Sequence, residues 1–377
     1  MPGPLGEIST QDFLNQYWQK KPCLLRNALP GFTPPLNGDD LAGLACEELA
    51  ESRLVSGNFQ DQNWNLLHGP FEEEMFTGLP DTHWTLLVQD VEKHYPPAQD
   101  LLMLFDFLPS WRLDDLMLSY AVTGGSVGPH VDQYDVFLYQ AQGRRHWRIA
   151  EQFEPALLDD CPLNVLKDFD PEQEWILKPG DMLYLPPNIA HHGVALEEGM
   201  TWSIGLRAPS AQDLFVFLGE SLARREDGER RYSDPDLQIS LRAGEIDQTA
   251  IEKMKALMVD SIRDPATFNE FLGAFITRFR LAQEPVSADP DLNAASLLKK
   301  LQSGSRLSRN PWTRLAWIET ADGALLFAAG AGYPCSVTIA QELCKNIEPE
   351  LFSRALDDRD LATIVALVNG GHVVLFF

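Results

Sequence analysis

No stretch of the 377-residue chain comes near the ~20 consecutive apolar residues that a membrane-crossing helix needs. The opening "MPGPLGEISTQ" has neither the charged start nor the apolar middle of a secretion signal. No membrane partner is expected, and the cytoplasm is the expected compartment. Cysteine is scarce: Cys23, Cys46, Cys161, Cys335 and Cys344 are odd in number, and none stands in a CxxC pair. Neither a disulfide framework nor a zinc knuckle fits that spacing, which leaves reduced thiols. The chain also lacks internal repeats and low-complexity tracts. Basic residues are few, 30 Lys and Arg against 55 Asp and Glu, for a formal net charge of −25. The deficit is concentrated at the front: residues 1–210 hold 12 basic and 31 acidic side chains, so 12 − 31 = −19 of that charge. Such a field repels nucleic acid and attracts cationic partners.

What is present is ample apolar material, 45% of residues, enough for real cores in two or three domains. "STQDFLNQYWQKKP" reads as a short amphipathic helix capped by Ser9 or Thr10 and ended by Pro22. From there to about residue 208, short apolar runs such as "LMLSYAV", "DVFLYQA", "HWRIA", "DMLYLPP" and "MTWSIGLRAP" are separated by Gly, Pro, Asn and Asp clusters. The run near 99–105 has helical character. Many short strands with turn signals predict a β sandwich or barrel. Residues 209–285 change texture: three segments place apolar residues at helical spacing, with Ser210 and Thr249 as caps. "QEPVSADPD" is the expected linker, and residues 286–377 read as helices followed by a Gly-Gly turn and a β end, a winged-helix pattern. Trp64, Trp84, Trp111 and Trp175 read as packing residues.

The chemistry lies in "GPHVDQYDVF" and "PGDMLYLPPNIAHHG". On a strand, side chains alternate, so His130 and Asp132 face the same way. An imidazole and a carboxylate on one face are the first two members of a 2-His-1-carboxylate set, which leaves open positions on Fe(II). The third ligand is sought after the Pro-Gly-Asp turn, the apolar strand and the Pro-Pro, at His191 or His192. Adjacent residues on an extended chain face opposite ways, so one of the two should bind metal and the other should not. In a jelly-roll barrel, strands about 60 residues apart lie side by side, so the separation is no obstacle. In the strand that follows Gly143, Arg145 shares its face with Trp147 and Ile149. A lone inward guanidinium needs an anion, and a carboxylate fits it in a bidentate fork.

These segments, with "GRRHWRI", "MTWSIGLRAP" and the N-terminal "FLNQYWQKKPCLLRNAL", resemble the JmjC-type ribosomal oxygenases, and most of all their bacterial branch of arginine hydroxylases acting on a large-subunit ribosomal protein. The resemblance implies a double-stranded β-helix (jelly-roll, cupin/JmjC) over 1–208, a helical dimerisation domain over 209–285 and a winged-helix domain over 286–377. It assigns His130, Asp132 and His191 to Fe(II), and leaves His192 as a neighbour. It assigns Arg145 to the distal carboxylate of the cosubstrate 2-oxoglutarate, with Ser203 adding a hydrogen bond. With O2 these yield succinate, carbon dioxide and a hydroxylated side chain. A basic ribosomal protein is the implied substrate, in keeping with the acidic first domain, and a homodimer the implied assembly. Two other readings use the same residues: an N-methyl demethylase, and a metal-binding cupin without oxygen chemistry. Direct DNA binding is not expected, because the C-terminal module is slightly acidic.

Overall fold

The computed structural model describes residues 3–225, 230–239, 242–278, 283, 285–287, 291–345 and 356–376. The chain divides into two compact units, Met1–Ala208 and Pro209–Phe377.

The first unit opens with α1 (Thr10–Gln16), where Ser9 accepts from the Asp12 N–H, leaving Thr10 inside the helix. Its single buried residue, Phe13, packs among Tyr17, Phe107, Phe137 and Tyr184. Then come β1 (Cys23–Leu25), α2 (Gly38–Ala45), β2 (Ser52–Ser56), β3 (Asn65–His68), α3 (Glu73–Thr77), β4 (Trp84–Val88), α4 (Val91–His94), α5 (Gln99–Met103) and β5 (Leu113–Ala121). The helix expected near 99–105 is α5. The remaining strands are β6 (His130–Val131), β7 (Val136–Gln142), β8 (Arg145–Ala150), β9 (Gln173–Leu177), β10 (Met182–Leu185), β11 (Ala190–Ala195) and β12 (Gly199–Leu206).

They form two antiparallel sheets, one of eight strands in the order β1-β10-β7-β12-β5-β4-β2-β3 and one of four in the order β6-β11-β8-β9. The non-consecutive order is that of a jelly roll. Alternation explains how one strand serves two environments. On β12, Met200, Trp202, Ile204 and Leu206 join the main core with Phe13, Leu41, Leu101 and Phe105, whereas Thr201, Ser203 and Gly205 face the interior cavity. On β7, Phe137 and Tyr139 join that core, and Val136 and Leu138 pack with Trp147, Ile149 and Leu177 of the small sheet. The β7–β8 hairpin turns at Gly143, whose φ of +66° and close approach to the Glu198 carbonyl suit glycine alone. Trp64 and Trp84 are buried, but Trp111, expected to pack, is 40% exposed, with the Arg112 guanidinium over its ring.

The second unit holds α6 (Ala211–Ala223), α7 (Gln248–Asp260), α8 (Pro265–Arg278), α9 (Ala294–Gln302), α10 (Val337–Lys345) and α11 (Asp358–Asn369). Ser210 caps α6 in a capping box with Asp213. The cap of α7 is Asp247, which accepts from the Ala250 N–H, and not Thr249, which lies inside the helix. Asp247 serves because its carboxylate accepts from the N–H three residues on and complements the helix dipole. Strands β13 (Arg306–Arg309) and β17 (Val373–Phe376) pair after the turn at Gly370 and Gly371. A sheet of β14 (Leu315–Thr320), β15 (Gly323–Ala328) and β16 (Ala331–Cys335), which the helical spacing of this region did not suggest, completes the module. Its core gathers Leu297, Leu307, Leu326, Ile339, Leu343, Ile364 and Leu367. Of the expected linker at 283–291, residues 284 and 288–290 lie outside the described residues.

Candidate metal centre and active site

The site begins with strand pairing. β11 lies between β6 and β8, and its register places His191 opposite His130 on one side and opposite Ile149 on the other. Asp132 follows β6 directly, and its carbonyl accepts the Asn188 N–H at 2.9 Å, tying the two ligand-bearing segments together. The ring nitrogens are oriented from behind. His130 Nδ1 lies 3.0 Å from the Gly128 carbonyl and His191 Nδ1 lies 2.9 Å from the Ile189 carbonyl. A carbonyl can only accept, so each Nδ1 carries the proton and each Nε2 presents a lone pair. His191 Nε2 is 3.6 Å from Asp132 Oδ2, and the donor atoms of His130, Asp132 and His191 all lie within 4.8 Å of one another. Burial, then the neighbouring His130, push His191 down to about 4, so its imidazole is neutral and ready to coordinate.

Of the adjacent histidines, the other faces away. His192 is buried between Phe59 and Phe169, and its Nδ1 accepts from Arg148 at 2.8 Å. Burial and then Arg148 hold it down at about 3, as a neutral prop beneath β11.

The three donors open onto a cavity of about 420 Å³ that Arg145, Trp147 and Ser203 also line. Arg145 is 5% exposed, and its guanidinium stacks on the Trp147 ring at 5.2 Å. Its NH2 donates to the Gly193 carbonyl at 3.2 Å, while its buried Nε has no partner. Among the described residues no carboxylate pairs with it. Burial pulls it down to about 10, still charged at neutral pH. An uncompensated buried cation with free N–H donors is suited to a carboxylate partner. Ser203 is buried on β12 between Met117 and Leu138, its side chain toward the same cavity.

Three lining residues carry no motif that singles them out in the sequence: Arg53 on β2, Gln89 after β4 and Asp115 on β5. Gln89 Nε2 donates to Asp115 Oδ2 at 2.7 Å and Arg53 NH2 donates to Gln89 Oε1 at 3.1 Å. Burial, followed by Glu92, Asp114 and Asp90, holds the Asp115 carboxyl well above the usual carboxylate range. Alternation in "LDDLMLSYA" could have placed an acid on the inner face, but whether Asp114 or Asp115 depends on a register that only pairing with β12 fixes.

The donor set fits Fe(II): two neutral imidazoles and one carboxylate on one side, with the cavity side left open, and a buried guanidinium nearby for a dicarboxylate. Residues 100–214 match the JmjC domain family, and residues 259–373 match the ROXA-like winged helix family. The chain is 38% identical to the ribosomal protein uL16 3-hydroxylase of Escherichia coli, over 97% of each chain. Its fold superposes on a crystal structure of E. coli YcfD with a TM-score of 0.89 at 36% identity, covering 98% of this chain and 99% of that one. A structure of YcfD, a ribosomal oxygenase, in complex with cobalt and 2-oxoglutarate gives a TM-score of 0.86 at 34% identity over 98% and 99% of the two chains. Sequence, fold and donor geometry agree, and the chain belongs to the JmjC-domain ribosomal oxygenase family, in its bacterial branch with a C-terminal winged helix.

Proposed function

We propose that this protein is an Fe(II)- and 2-oxoglutarate-dependent hydroxylase of an arginine side chain in ribosomal protein uL16. His130, Asp132 and His191 hold the metal, Arg145 receives the distal carboxylate of 2-oxoglutarate, and Ser203 adds a hydrogen bond. The observation that carries this reading is the buried Arg145, without a protein anion, in the same cavity as a His/Asp/His donor set. A cupin that only held metal would have no use for that charge. When bound, the metal activates O2 at the expense of 2-oxoglutarate, which leaves as succinate and carbon dioxide while one oxygen atom enters the substrate C–H bond. The chain's own part is position: Arg145 fixes one end of the cosubstrate, the hydrogen-bonded Nδ1 atoms aim the imidazoles, and Trp147 and Leu138 give the chamber apolar walls.

Arginine as the target is supported by Asp115, a half-buried acid that lines the cavity with the metal ligands and whose Oδ1 has no hydrogen-bond partner among the described residues. A guanidinium satisfies it; a neutral side chain leaves it uncompensated. The acidic first unit suits a basic substrate, by speeding encounter. We place the enzyme in the cytoplasm and divide it into a catalytic part over 1–208, a helical part over 209–285 and a winged-helix part over 286–377. A homodimer through the helical part is supported by its exposed Phe215, Val216, Met258 and Val259; light scattering that returned only the 42.3 kDa monomer would refute it.

The test is intact mass spectrometry of uL16 after incubation with the enzyme, Fe(II), 2-oxoglutarate and air. One added oxygen atom, mapped to an arginine and absent with His130→Ala, is the expected result. Loss of a methyl group instead would install the demethylase reading.

A further inference from the structure

Arg53 and Asp115, a base and an acid, line one cavity, yet no ion pair joins them; the side chain of Gln89 stands between. A guanidinium can only donate and a carboxylate only accept, so the amide is fixed end for end: Oε1 takes a hydrogen from Arg53 at 3.1 Å, and Nε2 gives one to Asp115 at 2.7 Å. The backbone around it is pinned. The Gln89 N–H donates to the Glu51 carbonyl at 2.9 Å. β4 and β5 last pair at Val88 and Leu118, and beyond that point the Leu116 N–H donates to Glu92 Oε2 at 3.0 Å. Asp115 Oδ1 occupies the space over Gly205, where an added Cβ would come within 2.5 Å of it. So one carboxylate oxygen is held by Gln89, and the other stays free because residue 205 has no side chain.

We propose that Gln89 is a neutral spacer that keeps Arg53 from closing an ion pair on Asp115, and so reserves that carboxylate for a guanidinium of the substrate. The inference rests on the reading of Asp115 as the substrate's anchor. It makes Gln89 a specificity-determining positioning residue, since it acts through Asp115.

Three variants test this: Gln89→Ala, Arg53→Met, and the two combined. With uL16 as substrate, Gln89→Ala should raise its KM about ten-fold, the scale of one charge-assisted hydrogen bond, with kcat and the KM for 2-oxoglutarate changing less than about two-fold. The double variant should recover most of that loss, because the competing cation is gone. A double variant as poor as Gln89→Ala, or worse, would show that Gln89 merely supports the wall, and overturns the proposal. A crystal structure of Gln89→Ala tests the spacer directly: Arg53 and Asp115 within hydrogen-bonding distance is expected, and the two still apart overturns it. If the wild-type enzyme leaves uL16 unmodified, the proposed substrate is what fails, and the crystal structure still decides the spacer role.

Discussion

Replacing Arg145 by methionine separates a receptor from a structural cation, because the two roles predict opposite effects. The guanidinium is buried and its pKa falls to about 10 in the folded chain, so the unfolded chain holds the proton more tightly and the charge destabilises the fold at neutral pH. A fall of that size corresponds to ~3 kcal/mol. Methionine removes the charge, keeps much of the volume and sacrifices one charge-assisted hydrogen bond to the Gly193 carbonyl, worth ~1.5–3 kcal/mol. The melting temperature should therefore hold or rise. Cosubstrate binding should collapse. A bidentate fork to a carboxylate comprises two charge-assisted hydrogen bonds of ~1.5–3 kcal/mol each, and losing them raises the KM for 2-oxoglutarate by about a hundred-fold to about ten-thousand-fold. The assay is succinate release against 2-oxoglutarate concentration, paired with a thermal melt of the same preparation. A KM within about three-fold of wild type, together with a lowered melting temperature, would refute the receptor role and make Arg145 a structural cation.

Asp132→Ala should reduce metal affinity by more than about a hundred-fold, beyond the ~10–100-fold of an outer-sphere change, read as metal content after dialysis against a buffered metal solution. The fold should persist, since Asp132 follows β6 directly, partly exposed and outside the core. Glu92 offers a test of stability against pH. Burial lifts its carboxyl to about 7, with Lys93 opposing and Asp90 adding. A folded pKa raised above the unfolded value means that the proton favours the fold, so this contribution is present below about 4.5 and is lost as pH rises through about 7. Glu92→Gln keeps an acceptor for the Leu116 N–H and removes the titration. Its melting temperature should match wild type near pH 4.5 and exceed it at pH 8, by up to ~3 kcal/mol of stability; a constant difference across that range would count against the assignment.

Local physics made much of this protein legible in its sequence. Alternation put His130 and Asp132 on one face, and Arg145, Trp147 and Ile149 on another, because side-chain direction on a strand needs no partner strand to define it. Capping chemistry narrowed the first cap to Ser9 or Thr10 and located Ser210 for the same reason: a hydroxyl reaches its own helix's N–H groups within three residues. Thr249 shows the limit, since Asp247 competed for the same role and the winner depends on where the chain enters the helix. β13 escaped notice because its mate β17 lies at the chain's far end; β14, β15 and β16 are joined by two-residue turns, but their runs do not alternate apolar with polar residues, so no local period marked them as strands.

Ligand types, the inward arginine and the change of texture near residue 208 are written in the order of the residues alone. Partners are not. Register with β6 chose His191 over His192, which turned instead into the cleft between Phe59 and Phe169. Pairing of β5 with β12 chose Asp115 over Asp114, and the end of β4 brought Gln89 between it and Arg53. The physical reason is common to these cases. A residue's chemistry is carried by its own atoms, but its partners are set by which strands, remote in sequence, the closing of a barrel brings side by side.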